Sequence, residues 1–498
     1  MTAPRAALLL MLLGLAGCGD PELWARYQAE RGFWQARRLV EKIQVHPSLA
    51  RASDYQAAID AFAALERRFP LREWARPERI RSRRARDVAA IGGDARIAIG
   101  RVEEAQQHYD RAAQVYGEAA AELAALPLAR LKALTAQAAL FDRLRDSTRA
   151  HAALAEIARM VPAVDPDLDE PVEAAVQVPL RVAEELRRRG QVAAADSLLL
   201  AVEARILPEA ERRKGPGTGT MLWLNIGRLR AARSGAVDPA LDAVRRALAQ
   251  AASRVTRARL ILTLASVCLQ GGRPDSALVY TAWASKGFGK DAKAEAMMLA
   301  AKVWETVNLD SAVVAYGRFV DTFRNSDLKV MEARYRRGDL LERQGRWLEA
   351  RAEFRGLATS SATDEYSLRS YERIVLHHLH AGEKEMARIE AKRTLEAMDH
   401  LLTTVQDDAT LLRIRQLRAR VLLDVESWEK AYTALQDLWT HYGNMELGVQ
   451  AGFRAAEVAE RELGDRDRAR KIYEELATGS ANPADQAMAR RQLERMRS

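Results

Sequence analysis

Cysteine is nearly absent: the 498 residues hold two, Cys18 and Cys268, too few for a disulfide framework. Cys268 closes the apolar run 262–268 and is expected to be a buried small hydrophobe rather than a reactive thiol. Glycine (28) and proline (15) are sparse, which suits helices throughout. Aromatic residues make up only 6 %, a poor supply for the ring platforms of a sugar site. Beyond residues 6–15 no apolar stretch approaches membrane-spanning length. Catalytic motifs are missing as well: no Gly-x-Ser-x-Gly, no His-Glu-x-x-His and no Cys–His pairing is present. The carboxylates sit among arginines on helical faces, as solvated surface does. The chain reads as a non-enzyme that needs no cofactor.

Minor motifs have bland readings. Asp165, Asp167 and Asp169 open like a calcium loop, but Glu170 stands at the turn glycine and Val176 at the bidentate position. The run 215–219 lacks the Lys-Ser/Thr ending of a phosphate loop. His377, His378 and His380 precede Ala381-Gly382, a helix C-terminus where imidazole complements the dipole without a metal. Residues 72–86 are the densest basic stretch, expected to be a solvated helix face. With a net charge of +9, anionic lipid or an acidic partner fits better than nucleic acid.

What is present begins at the N-terminus. Arg5, the apolar run 6–15 and Leu15-Ala16-Gly17-Cys18 have the layout of a secretory signal. The four last residues resemble the lipobox of bacterial lipoproteins. That resemblance implies a signal peptide over 1–17, acylation of Cys18 (palmitate or a related chain) and a lipid anchor. Gly19 follows in place of an acidic residue, which by the same resemblance implies the outer membrane, facing the periplasm. Asp20 is a good N-cap, Pro21 suits the first helical position and Glu22 favours the positive helix end, so a helix should start almost at the lipid. Trp24, Arg26, Tyr27, Phe33 and Trp34 lie in its early turns; they could rest on head groups, but packing against the next helix is the expectation.

A repeat follows. Ala-x-x-x-[Phe/Tyr]-x-x-[Leu/Phe], with a small residue upstream, recurs as Ala312, Tyr316, Phe319 after Ala300, and as Ala350, Phe354, Leu357 after Gly338. It returns as Ala431, Leu435, Leu438 after Ala419, and as Ala469, Tyr473, Leu476. Near the N-terminus stand Ala58, Phe62, Leu65 and Ala150, Leu154, Ile157. Weaker copies centre on Ala105, Ala195, Ala240, Ala277 and Ala387, and Gly-containing turn phrases at 270–273, 344–346 and 463–465 separate helices. The pattern resembles the tetratricopeptide repeat, two antiparallel helices with small residues where they cross. The resemblance implies an all-α solenoid of helical hairpins, with irregular long repeats in the N-terminal part. Residues 18–160 are expected to form that part, 161–171 a proline-rich acidic linker, and 172–498 a superhelix, with a flexible loop near 214–220.

In that family ligands contact the first helix of each hairpin, helix A. Carried over position by position, this face presents Leu229, then Leu262 and Leu269, Met297 and Trp304, Tyr335, Asp339 and Glu342, and finally Arg413 and Arg420. It runs from apolar through two aromatics to acidic and then basic, as a peptide groove would. The combination of lipobox and repeats is distantly similar to BamD-like outer-membrane lipoproteins, which implies a scaffold for envelope proteins or their peptide segments. A glycan- or nutrient-binding surface lipoprotein is the alternative.

Overall fold

The computed structural model describes residues 20–45, 50–144, 146–160, 172–323, 328–360, 363–443, 445–480 and 482–497. The signal sequence with Cys18, and the linker 161–171 with its three aspartates, lie outside the described residues. Every element among the described residues is a helix, and none is long and apolar enough to cross a membrane. The described residues divide into two compact units, one formed within 20–44 and 50–202 and the other within 203–497.

In the first unit the helices are α1 (Pro21–Val45), α2 (Ala52–Arg68), α3 (Leu71–Trp74), α4 (Arg83–Ala105), α5 (Tyr109–Glu122), α6 (Pro127–Arg143), α7 (Ser147–Met160) and α8 (Val172–Arg188). α9 (Val192–Arg212) runs across the division. As expected, Asp20 caps α1: its Oδ1 accepts from the Glu22 backbone N–H at 2.9 Å. Ala58, Phe62 and Leu65 of α2, and Ala150, Leu154 and Ile157 of α7, are buried. The copy placed at Ala105 is wrong, because Ala105 is exposed at the end of α4. The true anchor is Ala112 of α5, fully buried with Tyr116. Tyr116 lies on Gly100 so closely that a Cβ at Gly100 would enter its ring. Nor is the arginine-rich stretch one helix face: it breaks between α3 and α4, with Arg79 over the Trp74 ring at 3.7 Å.

The second unit is a series of hairpins: α10 (Thr218–Ala231) with α11 (Val237–Gln250), α12 (Arg254–Gln270) with α13 (Pro274–Ala284), and α14 (Lys290–Val307) with α15 (Leu309–Thr322). Next come α16 (Leu328–Arg343) with α17 (Trp347–Ser360), α18 (Glu365–His380) with α19 (Lys384–Thr404), α20 (Asp408–Asp424) with α21 (Trp428–Tyr442), and α22 (Glu446–Arg461) with α23 (Arg466–Gly479). α24 (Pro483–Arg497) follows. The anchors Ala240, Ala277, Ala312, Ala350, Ala387, Ala431 and Ala469 all have zero exposure. An alanine there lets helix B approach helix A, and the aromatic a turn later fills the remaining gap. Tyr316, Phe354 and Tyr473 do so, each almost fully buried. Gly345 turns the chain between α16 and α17 at φ +74°, a conformation L side chains rarely adopt.

The stretch 214–220 is not a loose loop: Thr218, Gly219 and Thr220 already belong to α10, and the Gly215 N–H donates to Gln250 Oε1 at 3.1 Å. Cys268 is buried, and burial raises its thiol pKa, so it is a packing residue as expected.

Candidate partner-binding face

Within the second unit, A helices touch their counterparts in the next hairpin: α10 meets α12, α12 meets α14, α16 meets α18 and α18 meets α20. Lys302 of α14 reaches Glu332 of α16 at 2.9 Å. The residues read from the sequence as a groove therefore sit on a row of neighbouring helices, though their surroundings differ.

Leu229 is a correction. It is fully buried, as are its neighbours Leu222, Trp223, Leu224 and Ile226, so α10 is an interior helix and Leu229 meets no partner. Leu262, Leu269, Met297, Trp304 and Tyr335 are half-buried. Leu262, Met297 and Tyr335 hold the same place in successive A helices relative to the buried anchor alanine, as do Leu269 and Trp304. Trp304, Met297 and Tyr335 also pack against the core around Tyr316 and Phe354. The Tyr335 ring lies 5.6 Å from Phe354 and 5.8 Å from Tyr366, and burial raises its phenol pKa. These rings are partly exposed and partly packed on the core.

The acidic section is already countered inside the chain. Arg373 of α18, a helix the groove reading passed over, donates to Glu342 at 2.6 Å and to Asp339 at 3.1 Å. His377 Nδ1 approaches Glu342 at 2.7 Å while its ring stacks on Trp347 at 3.4 Å between centroids, nearly parallel. The acids of the expected acidic section are thus paired within the chain, and so is Arg420 of the basic section. Arg413 is exposed, and Arg420, also exposed, pairs with Glu372 at 2.7 Å. His380 ends α18, where the sequence placed a helix terminus. Among the described residues no group of three His, Cys, Asp or Glu is arranged to hold a metal ion.

Clefts also open between helices, among them two lined by residues outside the groove set. One of about 710 Å³ between α19 and α21 mixes Arg388, Lys392 and Lys430 with Glu396 and Glu429. The other, about 360 Å³, is lined in part by Tyr371, Arg355, Arg393 and Glu390. Glu390 is 4 % exposed and accepts from Arg351 at 2.5 Å, Arg355 at 2.8 Å and Arg393 at 3.0 Å. Burial alone would raise its carboxyl pKa; the hydrogen bond from Arg351 and the neighbouring guanidiniums overcome this and hold it below the ordinary value. Sequence reading also missed Val279, Val314 and Ile389, exposed on the outer sides of α13, α15 and α19. Each sits two residues past its anchor alanine, a regularity visible in the sequence once the anchors are aligned.

The family model of the tetratricopeptide repeat matches residues 450–478, which fall within α22 and α23. The last hairpin is a tetratricopeptide repeat. It carries the buried series Ala455, Ala456, Ala459, Ala469, Tyr473 and Leu476, and the same crossing of small residues recurs in the hairpins before it. No curated protein matches the sequence. Among solved structures, a tetratricopeptide repeat protein from Parabacteroides merdae is 12 % identical, over 57 % of this chain and 100 % of that one, at a TM-score of 0.30. The apo form of the quorum sensor NprR from B. thuringiensis is 13 % identical over 69 % and 96 %, at 0.30. A Rap protein complexed with Competence and Sporulation Factor is 13 % identical over 74 % and 99 %, at 0.29. Likeness at this level carries no function across.

Proposed function

We propose that this protein is a membrane-anchored scaffold whose second unit holds segments of envelope proteins along its row of A helices. The observation that carries the reading is the set Leu262, Met297 and Tyr335, with Leu269 and Trp304, half-buried at matching places in successive repeats and leading to the exposed Arg413 and Arg420. Half-buried apolar side chains, followed two hairpins on by cations, suit a peptide with apolar residues followed by acidic ones. The repeat adds to this reading, since stacked hairpins supply long, fixed surfaces and no chemistry of their own.

Acylation at Cys18 would place that surface at the periplasmic side of the outer membrane, where assembly of envelope proteins is the fitting role. One experiment tests the anchor and its consequence together. Cells grown with labelled palmitate should yield labelled protein in the outer-membrane fraction. Cys18→Ser should remove the label, leave the chain extractable from membranes by high salt and reduce the partner recovered by crosslinking from native envelopes. An unlabelled wild type, or a Cys18→Ser form still membrane-bound in high salt and equally labelled, would refute the anchor.

A further inference from the structure

α1 packs one side against its own unit and leaves the other bare. Ala29, Ala36 and Ile43 are buried, the Phe33 ring meets Phe62 at 5.6 Å, and a Cβ at Gly32 would press on Leu65 at 2.8 Å. Arg84 pairs with Asp20, the Ser82 hydroxyl donates to Glu22, and Arg26 reaches Asp87 at 2.8 Å. On the opposite side the helical period collects Trp24, Tyr27, Arg31, Trp34, Arg38 and Lys42. All six are exposed, the three rings by 61, 51 and 57 %. The expected packing against the next helix therefore holds for Phe33 and fails for Trp24, Tyr27 and Trp34.

The exposed rings are ordered by one another and by charge. Trp24 stacks on Tyr27 at 5.6 Å, and the Arg37 guanidinium lies 5.1 Å from the Trp34 centroid. The acids of α1 are engaged elsewhere: Glu30 with Arg26 at 2.9 Å, Glu41 with Arg37 at 3.1 Å, and Glu22 with Ser82. What remains along the stripe is three rings, Trp24, Tyr27 and Trp34, toward its start and three cations, Arg31, Arg38 and Lys42, toward its end.

We propose that this stripe is a contact site for an anionic lipid surface. Trp and Tyr rings settle at head-group depth, and Arg and Lys reach phosphates from the same plane. Charge complementarity and placement favour lipid over a protein partner. The three cations share one helix face with the rings, from Arg31 to Lys42, and none is paired with an acid of α1; the stripe starts a few residues after Cys18. The contact goes beyond the scaffold reading and does not require acylation.

The test uses residues 18–498 carrying Cys18→Ser, which keep every described element and omit the apolar run 6–15. The protein is floated with phosphatidylcholine vesicles, with and without phosphatidylglycerol. It should rise with the anionic vesicles alone, and less as salt increases. Binding should fall at least about tenfold in Trp24→Ser/Tyr27→Ser/Trp34→Ser and in Arg31→Glu/Arg38→Glu/Lys42→Glu, with helicity and melting unchanged. If the aromatic variant unfolds, the charge-reversed one decides. No flotation with anionic vesicles, or flotation that the charge reversal leaves intact, overturns the proposal. Self-association without flotation, abolished by the same substitutions, also overturns it and assigns the stripe to a second copy. Neither outcome touches partner capture by the second unit.

Discussion

Phe354→Ala is expected to destabilise the second unit by about 3–5 kcal/mol, the usual cost of removing a fully buried aromatic ring. Phe354 has zero exposure, and its ring fills the space left by Gly338, where a Cβ would stand 2.7 Å from it. Tyr335 and Trp347 close the sides at 5.6 and 6.4 Å. Because each repeat contacts mainly its neighbours, the loss should be local. Hydrogen exchange should accelerate in α16, α17 and α18 and stay unchanged in the first unit. The complementary substitution, Gly338→Leu, forces a side chain into the same space and should cost about 1–3 kcal/mol by overpacking. The two share one volume, so Gly338→Leu should do less harm in the Phe354→Ala background than in the wild type. Strict additivity would show that ring and glycine do not occupy one site, and the account of how helices cross would fail.

The second large effect is electrostatic. Glu390→Ala removes the one carboxylate that three arginines share and leaves Arg351, Arg355 and Arg393 uncompensated. Breaking a buried pair costs about 3–5 kcal/mol. The arginines are partly exposed, with side-chain exposures of 24, 44 and 59 %, so screening should bring the loss to about 2–3 kcal/mol. Glu390→Gln keeps shape and one acceptor and should cost less. The carboxyl pKa lies below its ordinary value of 4.5 in the folded chain. Its stabilisation is therefore complete above that value and is lost as pH falls through the lower, folded one. Chemical-denaturation profiles should show an acid-side loss in the wild type that is smaller in Glu390→Gln. Identical pH dependence of the two proteins would contradict this.

The architecture was legible because crossing helices leave a chemical mark. An anchor alanine with an aromatic a turn later has few substitutes, and those series proved buried wherever the pattern was tight. Ala105 misled because alanine also fills ordinary helix surface. The Gly100–Tyr116 interval, the same as Gly338–Phe354, was the better signal for that hairpin. Leu229 misled because a row of helices treats its first member differently, and the run Leu222-Trp223-Leu224-Asn225-Ile226, apolar nearly all round, already suggests an interior helix. The pairing of Asp339 and Glu342 with Arg373 could not be read from one helix at a time, since it joins neighbouring hairpins. Trp304 and Tyr335 were placed on the intended row, but half of each ring belongs to the core. Alanine at these positions would therefore mix lost binding with lost packing, and probes of the face belong elsewhere.

The most direct test of the scaffold reading is site-specific photo-crosslinking in living cells. A photoreactive residue is introduced singly at Leu262, Arg413 or Arg420 on the A-helix row, and at Val279, Val314 or Ile389 on the outer sides of the B helices. One crosslinked envelope protein shared by the first three sites, and missing from the other three, is the predicted result. Products from Val279, Val314 and Ile389 alone, or none from any site in correctly localised protein, would contradict it.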